Sequence, residues 1–466
     1  MHSSEKKNIE DDFLNFCESE NLLFPSQHIL VCVSGGVDSM VLLHLLWKFK
    51  VSFKYTLSAA HFNHLTRNGA SDDDEKLVRN YCHQIDTNLY TERADVETLA
   101  GKMGISFEMA GRRLRYQFFE KTAREIGNAT IATAHIQSDN TETILMRMIN
   151  GTGLHGLTGI EVKRKNIIRP LMFAQKANLY QYAEINKIPY HDDHTNFENE
   201  GQRNVIRNTI LPEIRKHLNP NIDNNMDNFS KIILEYLSFI KKIVRKQFFQ
   251  CAGKITACYL EFDIEKLKNL ESIIRKEMLL AGFHEIDNKI NNYPSFHYMQ
   301  RIEDLIFSSD TGRYIEPYKN VIVLVNREKL IILNKKNIAW EELEIRPGKI
   351  YTRDSFIFSS KFIKFEDFIS INNSRSVEYI DADKISGKLR LRHWQQGDNF
   401  SPLGSQFKKK LSDFFIDNKI PRFLKDHIPI LWDEEKIIWV CGMQISDDVK
   451  ITKKTRKILK LEYKEL

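Results

Sequence analysis

The 466-residue sequence is informative first in what it lacks. No apolar run approaches the ~18 residues a membrane-crossing helix needs, which excludes a helical membrane protein. The opening stretch MHSSEKKNIEDDF is polar and partly acidic, without the charged start and apolar core of a signal peptide, so a cytoplasmic protein with no membrane partner is expected. Only six cysteines occur, Cys17, Cys32, Cys82, Cys251, Cys258 and Cys441. None stands in a CxxC pair or beside histidines at metal-ligand spacing, which fits a reducing compartment and excludes the common zinc frameworks. There is no internal repeat and no low-complexity stretch. A Walker A loop, GxxxxGK(S/T), and a GxGxxG fingerprint are both missing, so P-loop γ-phosphoryl transfer and Rossmann dinucleotide binding are not indicated.

What is present reads as a soluble globular chain, 42% hydrophobic and 28% charged, long enough for two or three domains. The net charge of +6 is modest, but its distribution is uneven. Lys388 to Leu466 holds 17 Lys/Arg against 11 Asp/Glu, an excess equal to that of the whole chain. A polyanionic partner explains a basic terminal segment, and so does a solvated lysine-rich face. Charge alone does not choose between them.

Along the chain, Gln27 to Val33 is a short β-branched apolar run ending at a glycine pair, and Met40 to Trp47 then reads as an apolar helix. Leu57 to Phe62 predicts a strand, Asp72 to Gln84 a helix, Tyr116 to Ile126 a helix, Thr130 to Ala134 a strand and Asn140 to Asn150 a helix. This alternation predicts an α/β fold with a parallel sheet covered on both faces. The Asn-rich stretch Asn219 to Asn228 reads as a linker, and Met226 to Gln250 has the apolar spacing of a long amphipathic helix. Ile264 to Ala281 reads as further helix, Tyr318 to Leu333 as a β-hairpin turning near Asn326 to Lys329, and the segment from about Ile345 as a small mixed α/β domain. The expected boundaries are 1–218 for the nucleotide-binding catalytic domain, 219–340 for a mainly helical domain with a hairpin, and 345–466 for a basic C-terminal domain.

The most telling hexapeptide is Ser34-Gly35-Gly36-Val37-Asp38-Ser39. Glycines at a strand-to-helix turn let backbone N–H groups converge, and the helix N-terminus adds a positive dipole end, so the loop suits a phosphate. The Ser34 and Ser39 hydroxyls add donors, and Asp38 is a candidate ligand for a divalent cation bridging phosphate oxygens. The competing reading is an ordinary turn.

Ser34 to Ser39 after Ile29 to Val33 resembles the PP-loop of ATP pyrophosphatases, which cleave ATP between the α- and β-phosphates and form an adenylated intermediate. Further blocks resemble one family in that superfamily, the tRNA(Ile)-lysidine synthetases, with interruptions from about Ile29 to Asp448. They are His61-Phe62-Asn63-His64 with Arg67 and Ser71; Arg112, Arg115 and Tyr116 as an RxxRY helix; and Ala132-Thr133-Ala134-His135 with Asp139 and Thr141-Glu142-Thr143. Gly151-Thr152-Gly153 with Gly156-Leu157, Asp193 to Asn196 with Arg203-Asn204 and Arg207, and Gly397-Asp398 with Lys409 to Asp417 and Lys419 to Arg422 complete the set. One departure matters. The family shows HHxDDQ where this chain reads His135-Ile136-Gln137-Ser138-Asp139-Asn140, so the second histidine and first aspartate are missing.

The resemblance implies a PP-loop fold, ATP and Mg²⁺ as cofactors, and free lysine and tRNA(Ile) with a CAU anticodon as partners; a homodimer is left open. The implied reaction is ATP-dependent joining of lysine to C2 of the wobble cytidine through an adenylated intermediate. Ser34, Gly35, Gly36, Val37, Asp38 and Ser39 are the expected ATP site, and Asp38, Arg112, Arg115 and Asp139 the expected catalytic residues, with Asp38 also the metal candidate. Arg203, Arg207, Lys409 and Lys410 are expected to contact tRNA or ATP. Each has a plainer reading: Arg112 and Arg115 as a solvated helix face, Asp139 as a solvent-facing helix cap, Arg203 and Arg207 as surface ion-pair partners. His61 and His64 read as packing rather than zinc ligands. Trp394, Phe400, Phe407, Phe414 and Phe415 read mostly as core, with one or two rings free to stack on bases. The alternatives are a sulfur-transferring PP-loop enzyme, which would need suitably placed cysteines, and a non-catalytic RNA-binding relative.

Overall fold

Along the first strand, Ile29, Val31 and Val33 enter one hydrophobic core while Leu30 and Cys32 enter another. Burial on both sides is what a continuous apolar run in a parallel sheet requires. The computed structural model describes residues 9–65, 69–191, 201–287, 290, 294–308, 310–338, 340–364, 375–405 and 407–466. Its contacts divide the chain into two units, Met1–Ser238 and Phe239–Leu466.

The first unit contains, in order, α1 (Ile9–Ser19), β1 (His28–Cys32), α2 (Val37–Phe53), β2 (Thr56–Asn63), α3 (Ala70–Gln84), β3 (Asn88–Arg93), α4 (Val96–Met103), α5 (Phe107–Glu125), β4 (Thr130–Ala132) and α6 (Gln137–Ile149). A single turn, α7 (Leu154–Leu157), leads to β5 (Lys163–Arg164), β6 (Ile167–Ile168) and α8 (Lys176–Ile185). The six strands lie in the order β3-β2-β1-β4-β6-β5, all parallel except β5 on β6. Strand β1 pairs on one side with β2, its successor, and on the other with β4, reached only after the chain has run to the β3 edge. In such sheets the crevice for ligands opens outside the C-terminal ends of the two strands where the order reverses. Here these are β1, which ends in the glycine loop, and β4, which leads to His135 and Asp139.

After α8, residues 202–217 form a helical run made of α9 (Gln202–Val205), a π-turn (Ile206–Ile210) and α10 (Leu211–His217). Helix α11 (Ile222–Cys251) follows. Its start corrects the linker expected at Asn219 to Asn228. Asparagine is a weak helix former, but Asn224 Oδ1 accepts from Gln137 Nε2 at 2.9 Å and Asp223 pairs with Arg215 at 2.9 Å, so tertiary contacts fix the first turn.

The second unit opens on an antiparallel sheet of five strands, in the order Ala252–Ile255, Tyr259–Asp263, Lys329–Asn334, Val321–Asn326, Tyr314–Tyr318. Helices Ser272–Ile286 and Phe296–Ser308 bury Met278, Phe283, Ile302 and Ile306 against Leu260, Phe262, Val323 and Leu330. The expected hairpin is there, with Asn326 opposite Lys329 and Arg327 at φ +56° in its two-residue turn. Three further strands accompany it, so the segment read as mainly helical also carries a sheet; the helix expected over Ile264 to Ala281 is broken between Lys268 and Ser272. Beyond residue 340 two antiparallel sheets enclose Phe358, Trp439, Leu459 and Leu461. Phe400, Phe414 and Phe415 are core, as expected, whereas Phe407 is exposed.

Candidate active site

The loop between β1 and α2 is built around one backbone requirement. Gly35 sits at φ +100°, and a Cβ there would come 3.1 Å from the Cβ of Asp74, so glycine is needed for conformation and space alike. Ser39 Oγ accepts from the Ser34 amide at 3.1 Å and donates to the Gly36 carbonyl at 2.9 Å, lacing the loop shut from below. Ser34 Oγ lies 3.1 Å from Ser39 Oγ. Val37 is buried at the start of α2, which anchors the first turn. The Gly35 carbonyl accepts from the His191 amide at 3.0 Å, and His191 Nδ1 lies 2.8 Å from Asp74 Oδ1.

Asp38, in the first turn of α2, meets Lys176 at the start of α8: the ammonium donates to both carboxylate oxygens, at 2.9 and 2.8 Å. Burial pushes the Asp38 carboxyl up, Lys176 draws it back down, and the Asp139 charge raises it again. Asp139 itself does two things. Its Oδ2 accepts from the Ile136 amide at 2.9 Å, capping α6, while Oδ1 accepts from Arg203 at 3.2 Å and Arg207 at 2.9 Å. The same two guanidiniums bind Glu142, whose side chain is 2% exposed, at 2.8 and 2.6 Å. Asp139 and Glu142 are three apart on α6 and Arg203 and Arg207 four apart on the helical run at 202–217, so each pair faces the other. Arg203 stands in α9 and Arg207 in the π-turn that follows it, Ile206–Ile210.

Arg112 and Arg115 also line the cleft, Arg112 over the Tyr116 ring at 5.2 Å, with Arg169 buried behind them near His135; among the described residues none of the three forms an ion pair with a carboxylate. Burial first, then the charges of Arg169, Arg203, Arg112 and Arg115, hold the imidazole of His135 down at about 3. Burial is the larger cause; the four guanidinium charges that add to it make the surroundings of His135 positive, which suits a polyanion. The cleft has a volume of about 2740 Å³ and reaches from Ser34 and Asp38 through Asp139 to Arg203 and Arg207. Single-ligand pockets are roughly 300–1,000 Å³, so this space takes several reactants together.

Of the expected site residues, the structure brings together Ser34 to Ser39, Arg112, Arg115, Asp139, Arg203 and Arg207 around this cleft. Lys409 and Lys410 belong to the second unit, where Lys409 pairs with Asp417 and Lys410 is exposed. Arg67 and Asp193 to Asn196 lie outside the described residues. His61 is a packing residue, its Nδ1 held 2.9 Å from the Val33 carbonyl. Among the described residues no cluster of three or more His, Cys, Asp or Glu could hold a metal ion. An Mg²⁺ that keeps its phosphate and water ligands needs only one or two protein carboxylates, and Asp38 and Asp139, which repel each other, suit that smaller demand. All six cysteines are buried, with Cys82 and Cys258 pushed up to about 12 by desolvation, which disfavours the thiolate that sulfur transfer needs. Sequence reasoning misses Lys176 and Arg169, lone basic residues in unremarkable segments with no local pattern to mark them.

Residues 5–214 match the PP-loop domain family, and residues 389–462 match the TilS substrate C-terminal domain. The tRNA(Ile)-lysidine synthase of Clostridium tetani is 33% identical over 471 residues, covering 97% of each chain. That of Clostridium acetobutylicum is 32% identical over 97% of this chain and 98% of its own, and that of Persephonella marina 30% over 98% and 100%. The chain belongs to the tRNA(Ile)-lysidine synthases. Its PP-loop domain makes it an ATP-using enzyme. No helix among the described residues is long and apolar enough to cross a membrane.

Proposed function

We propose that the enzyme joins free lysine to C2 of the wobble cytidine of tRNA(Ile) with a CAU anticodon, with Mg²⁺ as cofactor, in two steps within the one cleft. The observation that carries this reading is the meeting, at the β1/β4 switch point, of a phosphate loop, two arginine-held carboxylates and the guanidiniums of Arg112 and Arg115. In the first step cytosine O2 attacks the α-phosphorus of ATP and pyrophosphate leaves. The Ser34–Ser39 loop cradles the departing pyrophosphate, while Arg112 and Arg115 stabilise charge that develops on the phosphoryl oxygens; only contacts stronger in the transition state than in bound ATP accelerate the step. In the second step the lysine amine attacks C2, sheds a proton, and AMP departs with the former O2. Asp139, its carboxylate fixed by a backbone amide and two guanidiniums, orients the incoming amine. Mg²⁺, held at Asp38, would neutralise phosphate charge.

Lys409 and Lys410, in a terminal segment of high positive charge, contact tRNA phosphates in this reading. The three functional segments are 1–218, 219–340 and 345–466, and the site of action is the cytoplasm. Incubation of purified protein with ATP, labelled lysine and tRNA(Ile) transcript is expected to give lysine-labelled tRNA and stoichiometric AMP. ATP turnover without label in the RNA would sink the assignment. The burial of every thiol argues against the sulfur-transfer alternative.

A further inference from the structure

Helix α5 presents Phe107, Gly111 and Arg115 at successive four-residue steps, so the three share one face. The ring of His64, at the end of β2, rests on the middle of that face: a Cβ on Gly111 would come within 3.1 Å of the imidazole Cε1. His64 lies between two phenylalanines, 5.0 Å from Phe62 at 77° and 6.3 Å from Phe107 at 43°. All of these except Gly111 line the cleft. Of the three phenylalanines there, Phe62 and Phe119 are core residues at 5% and 4% exposure, whereas Phe107 is 47% exposed. A lone exposed phenylalanine needs no explanation. This one extends an aromatic wall toward a guanidinium lying two turns further along the same helix, about 12 Å away at 1.5 Å per residue.

An aromatic surface at one end and an arginine at the other suit a nucleotide, base on the rings and phosphate at the guanidinium. We propose that the Phe107–His64 wall is a stacking site for the extruded wobble base of the RNA substrate. The proposal rests on the reaction inferred above. A cytosine whose O2 must reach the α-phosphorus of ATP has to leave its stack in the anticodon loop, and an unstacked base regains stacking on an aromatic face. The Phe107 end of the wall is the exposed end, open to an approaching RNA loop. Burial, then the Arg115 charge, hold His64 down at about 4, so the ring meets the base neutral.

The test uses the full-length protein and an anticodon stem-loop RNA carrying the fluorescent base pyrrolocytosine at the wobble position. Wild-type protein is expected to quench the fluorescence on binding; Phe107→Ala should abolish most of the quenching and bind the RNA about tenfold or more weakly, the effect of removing one base–aromatic stack. Phe107→Trp should restore both, and ATP affinity should stay within twofold in each variant, which also reports an intact fold. Quenching and RNA affinity unchanged in Phe107→Ala would overturn the proposal, as would a variant that no longer binds ATP, since that places adenine or the fold itself on this ring. If wild-type protein forms no lysidine on intact tRNA, the parent reaction falls on that assay, while the quenching series still decides whether a base stacks here.

Discussion

The Lys176 ammonium donates to both oxygens of the Asp38 carboxylate, joining the first turn of α8 to the first turn of α2. Lysine thereby offsets part of the rise that burial imposes on this partly buried carboxyl, while the Asp139 charge adds to that rise. Asp38→Asn keeps the shape and removes the charge. It is expected to lower tRNA-dependent pyrophosphate release by at least about 100-fold with the thermal melt unchanged, as measured by a pyrophosphate assay. Activity within twofold of wild type would remove Asp38 from the chemistry. Lys176→Ala should move the acid limb of the pH–rate profile to higher pH, because Asp38 would lack the cation that offsets burial.

Glu142 is the most buried member of the four-charge group with Asp139, Arg203 and Arg207. Removing it leaves two guanidiniums with one shared carboxylate. Loss of one partner of a fully buried pair costs about 3–5 kcal/mol; both arginines keep some exposure to water, so Glu142→Ala should lower unfolding stability by about 2 kcal/mol. Urea denaturation measures it. A change under about 0.5 kcal/mol would mean that solvent already carries these charges.

His135 sits at about 3, below its ordinary 6.5. The unfolded chain therefore binds the extra proton first, and stability that is fully present above pH ~6.5 is lost as the pH falls toward 3. His135→Asn should flatten that part of the stability curve. Bound ATP brings negative charge to the same guanidiniums, raises the imidazole and makes binding near pH 5 take up a proton. Calorimetry in two buffers of different ionisation enthalpy would show the uptake; identical apparent enthalpies would contradict it.

Lys408, Lys409 and Lys410 follow the exposed Phe407 in the matched C-terminal domain. Replacing all three with alanine is expected to weaken tRNA binding and lower the slope of log affinity against log salt by up to about 2 to 3, at roughly 0.7–0.9 for each phosphate no longer neutralised. ATP affinity should not change. An unaltered slope would move the RNA-binding surface elsewhere.

The parts of this fold legible in the sequence are those whose signal is local. An apolar run, a glycine pair and an apolar helix specify β1, the phosphate loop and α2 with no reference to the rest of the chain, and the hairpin at Val321–Asn334 announces itself by two apolar runs around a short polar turn. The arginines of the RxxRY helix and the pair at 203 and 207 are visible by spacing; the latter do form ion pairs, but with the buried Glu142 in the cleft rather than at the surface. What stays hidden depends on distant contacts. Lys176 meets a residue 138 positions earlier, and the first turn of α11 is helical because Gln137 and Arg215 hold it there. The strand Tyr259–Asp263 escapes the sequence reading because its five residues carry no pattern distinct from the helix that follows.

The cysteines give the molecule an internal clock. Cys17, Cys32 and Cys82 lie in the first unit and Cys251, Cys258 and Cys441 in the second, all six buried. An alkylating reagent can reach them only when the surrounding structure opens, so the rate at which each thiol is consumed measures the free energy of that opening. Three timers in each unit, read by peptide mapping after graded exposure, would give the stability of the two halves separately in one unmodified chain, without a truncation or an introduced label.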